Sequence, residues 1–220
     1  MRDSLTVKIV RVRQENPEVT TLYFARPFDF VAGQYITVFV PGSSVREGKA
    51  YSLSSRPHQA LASITVKDVG GEFSRYLCSR RPGDTLFVSH PYGNFNPLTD
   101  RPLVGITAGC ALSPIWSILA DAPQPTTLYF SHKSPQFTVF DAELAASNIT
   151  VHHFSTRHNV VEQAGWHNGR FDIAQIVAAS AAESYFLVCG SLPFVRDVWQ
   201  QLVKNGVDDQ YIATETFFES

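Results

Sequence analysis

The residue types with the clearest potential for redox or metal chemistry are three cysteines and seven histidines. Cys78, Cys110 and Cys189 are far apart and show no Cys-x-x-Cys spacing, so they encode neither a disulfide framework nor a zinc or iron–sulfur site. His152 and His153 are adjacent on a predicted strand, where successive side chains point to opposite faces. They cannot chelate one ion together, and we predict no metal site. Any redox chemistry must therefore come from a bound organic cofactor.

The composition and charge of the 220-residue chain are those of a globular protein, with 44% hydrophobic and 17% charged residues. Eighteen basic and twenty acidic side chains give a net charge of −2, which leaves no global cationic field for nucleic acid or anionic lipid. No stretch reaches the roughly 18 apolar residues of a membrane span, and the first twenty residues lack a signal-peptide apolar region. We expect no nucleic acid partner, no membrane span and a cytoplasmic location.

Short β-rich segments separated by glycine and proline fill the chain from Leu5 to about Phe95. Regular short strands with this punctuation predict a closed antiparallel barrel, interrupted by one helix over Phe73–Ser79. The segments predicted as strands are Thr6-Val7, Ile9–Val12, Thr20–Phe24, Tyr35–Val40, Tyr51–Leu53, Ile64–Val66 and Thr85–Val88.

Continuous apolar runs alternating with amphipathic stretches follow Pro102, and this pattern predicts parallel strands covered by helices. The domain boundary falls near Asn96–Pro102, so we predict an antiparallel β-barrel domain over residues 1–98 and a Rossmann-like α/β parallel-sheet domain over 99–220. The predicted strands are Leu103–Thr107, Thr127–Phe130, Ile149–Phe154, Tyr185–Cys189 and Tyr211–Thr214. The predicted helices are Ser113–Ala120, Phe140–Ala146, Asp172–Ala182 and Pro193–Asn205.

One barrel segment connects this two-domain pattern with a particular protein family. Lys49-Ala50-Tyr51-Ser52-Leu53-Ser54-Ser55, preceded by Ala32-Gly33-Gln34-Tyr35, resembles the flavin-binding strand of the ferredoxin-NADP reductase superfamily, which has R-x-Y-S-x-x-S after a PGQY-like turn. The resemblance implies that Tyr51 lies against the isoalloxazine ring and that Ser52 has a catalytic role near flavin N5. Lys49 stands where the family usually has arginine, and it keeps the charge but not the planar fork that grips a pyrophosphate.

The run Gly70-Gly71-Glu72-Phe73-Ser74 resembles the family's G-x-x-S motif, which receives the flavin phosphates at a helix start. Arg56-Pro57-His58 follows the flavin strand where the family accommodates the adenylate of FAD, which favours FAD over FMN. The resemblance therefore implies one set of flavin-binding residues. They are Lys49, Ala50, Tyr51, Ser52, Lys67, Gly70, Gly71, Phe73 and Ser74.

The loop from Thr107 to Pro114 follows an apolar strand and opens a helix, as does the nicotinamide-dinucleotide loop of the family, although Ala111 replaces one family glycine. The resemblance assigns Thr107, Gly109, Cys110 and Pro114 to this loop. Val188-Cys189-Gly190 is similar to the family's C-G motif at the carboxyl end of a parallel strand. It implies that Cys189 is catalytic and faces the nicotinamide, with Gly190 leaving room for the ring.

The chain ends in Thr214-Glu215-Thr216-Phe217-Phe218, with Glu-Ser after it, and this run is similar to the family's terminal E-x-F-F. The resemblance implies a catalytic Glu215 acting as a proton or polarity element, with Phe217 and Phe218 near the flavin or the nicotinamide.

Basic and hydroxyl residues follow the second and third predicted parallel strands. Ser131 and Lys133 come after one strand and Ser155 and Arg157 after the next. An acid there would favour the ribose hydroxyls of NADH, whereas basic residues favour the extra phosphate of NADPH. The sequence favours NADPH modestly and leaves NADH open.

The resemblance spans nearly the whole chain and implies an FAD-dependent NAD(P)H oxidoreductase without a fused iron–sulfur domain. Hydride would pass from NADPH or NADH to FAD, and electrons would leave to a separate ferredoxin, flavodoxin or oxygenase component. Two alternatives stay open: an NAD(P)H:flavin or ferric-chelate reductase, and a non-catalytic flavin-holding subunit of a larger complex.

Overall fold

The computed structural model describes residues 4–217, and the first half of them forms an antiparallel six-stranded sheet. Its strands lie in the order β4-β3-β6-β1-β2-β5. The strands are β1 (Leu5–Asn16), β2 (Val19–Ala25), β3 (Tyr35–Phe39), β4 (Lys49–Ser52), β5 (Leu61–Lys67) and β6 (Thr85–Val88), with helix α1 (Glu72–Cys78) between β5 and β6.

The sheet curls along its longest strand, β1, which pairs with different neighbours at its two ends. The first residues of β1 pair with β6, and the pairing with β2 begins at Ile9 and shows a register shift between Ile9 and Arg11. The two short segments predicted there are therefore one strand. A bridge between Leu53 and Ile64 joins the region after β4 to β5. The curled sheet encloses the apolar side chains that alternate along its strands.

The second half is a six-stranded parallel sheet in the order β10-β9-β8-β7-β11-β12. Its strands are β7 (Leu103–Ala108), β8 (Thr126–His132), β9 (Thr150–Ser155), β10 (Trp166–Asn168), β11 (Tyr185–Ser191) and β12 (Ile212–Phe217). Its helices are α2 (Leu112–Leu119), α3 (Asp141–Ala145), α4 (Ile173–Ala179) and α5 (Leu192–Lys204).

Helices cover both faces of this sheet, as predicted. Ile115 of α2 and Phe130 of β8 share one buried cluster, whereas Ile176 of α4, Val188 of β11 and Leu202 of α5 share the other. Both faces of the central strands are therefore shielded from water, which explains their continuous apolar runs.

Every predicted strand and helix overlaps an observed one, and the two-domain fold class is confirmed. One strand was not predicted. β10 has three residues and no apolar run, and it lies between Gly165 and Gly169, which both have positive φ. Helix α4 ends at Ala179, three residues before the predicted end, because Ser180 is extended.

The two halves pack against each other through β-barrel loops and helix α2. Ser117 Oγ of α2 donates a 2.7 Å hydrogen bond to the Ser55 carbonyl. Gly33 has φ +86°, a backbone conformation that favours glycine, and a Cβ there would lie 2.9 Å from Ile118 Cδ1. The predicted boundary between residues 98 and 99 lies in the segment that connects β6 to β7. Among residues 4–217, no helix is long and apolar enough to cross a membrane.

Candidate functional site

A cleft of about 1180 Å³ lies between the curled sheet and the carboxyl ends of the parallel strands. Most of the residues assigned from the sequence line it, although they come from segments up to 168 positions apart. The predicted residues lining the cleft are Lys49, Ala50, Tyr51, Ser52, Lys67, Gly71, Ser74, Gly109, Cys110, Ser131, Lys133, Arg157, Gly190, Glu215 and Phe217. The predicted residues that do not line it are Gly70, Phe73, Thr107, Pro114, Ser155 and Cys189. Phe218 lies outside the described residues.

Tyr51 forms part of the cleft wall on β4 and rests on a second aromatic ring. Its ring centroid is 6.4 Å from that of Phe73, with an interplanar angle of 20°. The ammonium of Lys49 lies 5.7 Å from the centroid of the Phe73 ring. Phe73 itself is buried, so it supports Tyr51 and Lys49 from behind. Burial raises the pKa of the Tyr51 hydroxyl well above its ordinary value, so the ring stays neutral and presents an aromatic surface.

Ser52 and Glu215 connect the two domains inside the cleft. Ser52 Oγ donates a 2.7 Å hydrogen bond to Glu215 Oε1. Burial raises the pKa of Glu215, and the hydrogen bond from Ser52 partly opposes this shift. Because the charged form is disfavoured, this carboxyl can hold a proton at a higher pH than an exposed glutamate can. The pair joins β4 of the barrel to β12 of the parallel sheet.

The turn before α1 contains the predicted phosphate-binding residues, and it is organised by an acid that the sequence reasoning missed. Asp68 Oδ1 accepts hydrogen bonds from the Gly70 N–H at 2.8 Å and from Ser74 Oγ at 3.2 Å. Gly71 caps α1 without a side-chain hydrogen bond. Ser74 Oγ also accepts a bond from the Val69 N–H. Asp68 therefore holds the turn in place and brings negative charge next to it.

The loop after β7 contributes residues from Ala108 to Ser113 to the cleft wall. Gly109 has φ +56°, and a Cβ there would meet nothing within 4 Å, so conformation rather than space favours glycine. Ser113 Oγ donates a 2.9 Å bond to the Cys110 carbonyl. Thr107 Oγ1 donates a 2.9 Å bond to the Cys189 carbonyl beneath the sheet surface, and Pro114 is buried in the first turn of α2. Thr107 and Pro114 thus shape the loop and do not line the cleft.

Cys189, whose thiol the resemblance places against the nicotinamide, does not itself line the cleft. Its side chain is 0% exposed and belongs to the apolar core shared with α2. Burial raises the pKa of this thiol well above its ordinary value. The next residue, Gly190, lines the cleft instead. A Cβ on Gly190 would lie 2.4 Å from Phe194 Cδ1, so the close packing of Phe194 requires glycine.

The basic end of the cleft has an acidic partner. Lys133 forms an ion pair with Glu18, whose other oxygen lies 3.7 Å from Lys67 Nζ. Arg157 also lines the cleft. Ser155, which the sequence assigned to coenzyme binding, does not line the cleft. Its side chain is buried, and its Oγ donates a 2.5 Å bond to the His158 carbonyl instead of facing the cleft.

Comparison with known proteins identifies the first domain and confirms the two-domain fold. Residues 7–96 match the oxidoreductase FAD-binding domain model. Over 98% of this chain and 99% of the other, the structure superposes with a TM-score of 0.84 and 25% identity on the flavohem-like FAD/NAD binding domain of nitric oxide dioxygenase from Vibrio cholerae. Residues 7–96 therefore form an FAD-binding domain of the oxidoreductase type, as predicted. The described chain shares the two-domain fold of that flavohem-like FAD/NAD binding domain.

Two curated relatives are longer than this chain. The Pseudomonas aeruginosa flavohemoprotein is 31% identical over 96% of this chain. The glycine betaine monooxygenase reductase subunit of Chromohalobacter salexigens is 28% identical, also over 96% of this chain. The chain spans 58% and 63% of the length of these two relatives. A ferredoxin NADP+ reductase from Neisseria gonorrhoeae, 22% identical, shares the fold with a TM-score of 0.80 over 98% of this chain and 99% of that one.

The residues that line the cleft fit a flat, anionic dinucleotide. The cleft exceeds the roughly 300–1,000 Å³ that is typical for one small ligand. Tyr51 offers a neutral aromatic surface, and the cations Lys49, Lys67 and Arg157 line the same space. FAD is thereby supported as the cofactor by both the family match and the character of the cleft.

The histidine pair contributes to packing on two sides of β9. His152 stacks on Tyr129 with centroids 4.9 Å apart, and His153 stacks on Trp166 with centroids 4.3 Å apart. The two rings lie on opposite faces, as strand geometry predicted. Within residues 4–217, no group of three or more potential ligand side chains could hold a metal ion.

Proposed function

We propose that this chain takes hydride from NAD(P)H onto FAD and passes the electrons to a separate redox protein such as a ferredoxin, a flavodoxin or an oxygenase component. The observation that carries the proposal is the Ser52–Glu215 hydrogen bond, which joins the FAD-binding domain to the parallel sheet within one cleft. Electron transfer between two bound cofactors needs both domains to contribute to a single site, and this site has that form.

Each of the two sheets is assigned one of the two cofactors. We assign FAD to residues 1–98 and the nicotinamide coenzyme to residues 99–220. When bound, FAD supplies the chemistry by accepting hydride and releasing electrons in one- or two-electron steps. The chain supplies position: Tyr51 holds the flat ring, and the backbone at Gly109 and Gly190 lets a coenzyme approach closely. Holding two reactants in contact geometry is itself a large part of catalysis.

Ser52 and Glu215 supply the polar groups near the reacting atoms. The Ser52 hydroxyl is oriented by Glu215, so it is held in one rotamer instead of turning freely. Burial raises the pKa of the Glu215 carboxyl and so disfavours a fixed negative charge there. Both properties suit a site in which a hydride moves and no strong acid or base is needed.

The names of the relatives support a protein acceptor. They include reductase components of terephthalate 1,2-dioxygenase from Comamonas and the reductase subunit of glycine betaine monooxygenase. Each name describes a protein that works with an oxygenase. We therefore place a separate redox carrier ahead of a small-molecule acceptor for this chain.

Anaerobic reduction of the FAD-loaded protein tests the proposal. Stopped-flow mixing with NADH or NADPH should bleach the flavin absorbance within one catalytic turnover time, and the loaded protein should then reduce a ferredoxin or flavodoxin. Bleaching by neither coenzyme would overturn the proposal and favour the non-catalytic flavin-holding subunit. Reduction of free flavin or ferric chelate, with no reduction of any carrier protein, would replace the carrier with a small acceptor.

A further inference from the structure

We propose that Glu18 sets the coenzyme preference of this chain by neutralising Lys133, so that NADH is used in preference to NADPH. The inference rests on the proposed function, and it deepens it by naming a residue that selects between the two coenzymes. Glu18 belongs to the FAD-binding domain, and Lys133 belongs to the parallel sheet domain, 115 positions away.

Glu18 is held in the cleft by contacts on several sides. One carboxylate oxygen pairs with Lys133, and the other lies 3.7 Å from Lys67 Nζ. The Glu18 N–H donates a 2.9 Å hydrogen bond to Asn16 Oδ1. The amide of Asn16 in turn donates a 3.1 Å bond to the Thr138 carbonyl, across the domain junction. The turn between β1 and β2 is therefore fastened to the segment that follows Lys133.

Lys133 lies at the position that discriminates NAD from NADP in dinucleotide-binding sheets. It directly follows β8, which neighbours β7 in the sheet, and it comes 24 residues after Gly109 of the loop that follows β7. In doubly wound sheets, ligands bind outside the carboxyl ends of the strands. About 20 residues beyond the glycine loop, an acid binds the ribose hydroxyls of NAD, whereas a cation accepts the 2′-phosphate of NADP.

The ion pair with Glu18 changes how Lys133 can interact with the 2′ group of a coenzyme. Alone, Lys133 would attract a 2′-phosphate, and the sequence therefore favoured NADPH. In the structure its charge is offset by a carboxylate that lines the same cleft and that it shares with Lys67. A 2′-phosphate would have to displace Glu18 from Lys133 and would then lie close to a like charge. A ribose with free hydroxyls meets no such repulsion and can donate hydrogen bonds to the carboxylate.

The test compares Glu18→Gln with Glu143→Gln in the FAD-loaded chain. Glu143 is a matched control because it also forms an ion pair across the two domains, with Arg13, and its side chain is 33% exposed against 32% for Glu18. Glu143 does not line the cleft. The Glu18 variant should raise the ratio of kcat/KM for NADPH to that for NADH by roughly tenfold, since one like charge is removed beside the phosphate. The Glu143 variant should leave this ratio within about twofold.

A binding measurement separates this inference from the proposed function. Adenosine 2′,5′-bisphosphate should bind the Glu18 variant about tenfold more tightly than the wild type, whereas 5′-AMP should bind both alike. Adding Lys133→Ala to the variant should abolish the gain. An unchanged preference for the 2′-phosphate, or an equal gain in the Glu143 variant, would overturn the role of Glu18. Wild-type protein that neither coenzyme reduces would instead overturn the proposed function, and the bisphosphate measurement would still decide on Glu18.

Discussion

Ser52 Oγ and Glu215 Oε1 lie 2.7 Å apart, although they are 163 positions apart in the chain and belong to different sheets. The bond closes the cleft between the FAD-binding domain and the parallel sheet at the point where both contribute polar groups. This one pair of side chains therefore both holds the two domains together and contributes polar groups to the site.

Glu215→Gln should remove a pH dependence of stability. Burial raises the pKa of Glu215 in the folded chain, so the folded state binds this proton more tightly than the unfolded state does. Its contribution is fully present below the ordinary value of 4.5 and is lost as pH rises through the raised folded pKa. The free energy of unfolding in urea should therefore fall more steeply with rising pH in the wild type than in the variant. Parallel curves from pH 4.5 to 8 would contradict the assignment.

Tyr51→Ala should weaken FAD binding, and Tyr51→Phe should not. The ring of Tyr51 rests on buried Phe73, so its position is fixed before any cofactor binds. Aromatic pairs contribute about 0.5–1.5 kcal/mol beyond burial, and loss of the ring should raise the Kd for FAD by roughly tenfold or more. Fluorescence titration of the apoprotein measures this. Equal loss in the Phe variant would show that the hydroxyl, not the ring, binds the cofactor.

Asp68→Asn should tighten FAD binding, whereas Asp68→Ala should weaken it. The oxygen of an asparagine can still accept the bonds from Gly70 and Ser74 that now go to Asp68 Oδ1. The negative charge next to the predicted phosphate site is removed in both variants. Titrations at low and high salt should show a gain of several-fold for Asn that shrinks as salt screens the charge. A weaker Asn variant would mean that the charge itself stabilises the turn.

The fold could be predicted from the sequence because its signals are local. Alternating strands, apolar runs and the glycines at turns each indicated an element, and these elements are present. Contacts between distant residues could not be predicted in this way. Nothing near Glu18 or Asp68 in the sequence indicates that one meets Lys133 and the other organises Ser74, because these pairs depend on how the domains and turns pack.

Cys189 shows a finer limit of sequence reasoning. The strand was predicted, although it ends two residues later than expected, and the Cys189 side chain is buried and does not line the cleft. Successive residues of a strand face opposite sides, so a motif that places Cys189 and Gly190 at the cleft does not say which of them faces it. In the structure, Gly190 lines the cleft and Cys189 lies buried beside it.

Cys189→Ala should therefore lower stability more than it slows hydride transfer. The thiol is fully buried in the core shared with α2, and shortening it leaves a small cavity that costs about 1–2 kcal/mol of unfolding free energy. The anaerobic bleaching rate of the FAD-loaded variant should stay within about twofold of the wild type. Cys78→Ala is a suitable control, since Cys78 is half-buried on α1 and does not line the cleft. A bleaching rate that falls at least tenfold in the Cys189 variant, with unchanged stability, would restore the contact with the nicotinamide that the sequence predicted.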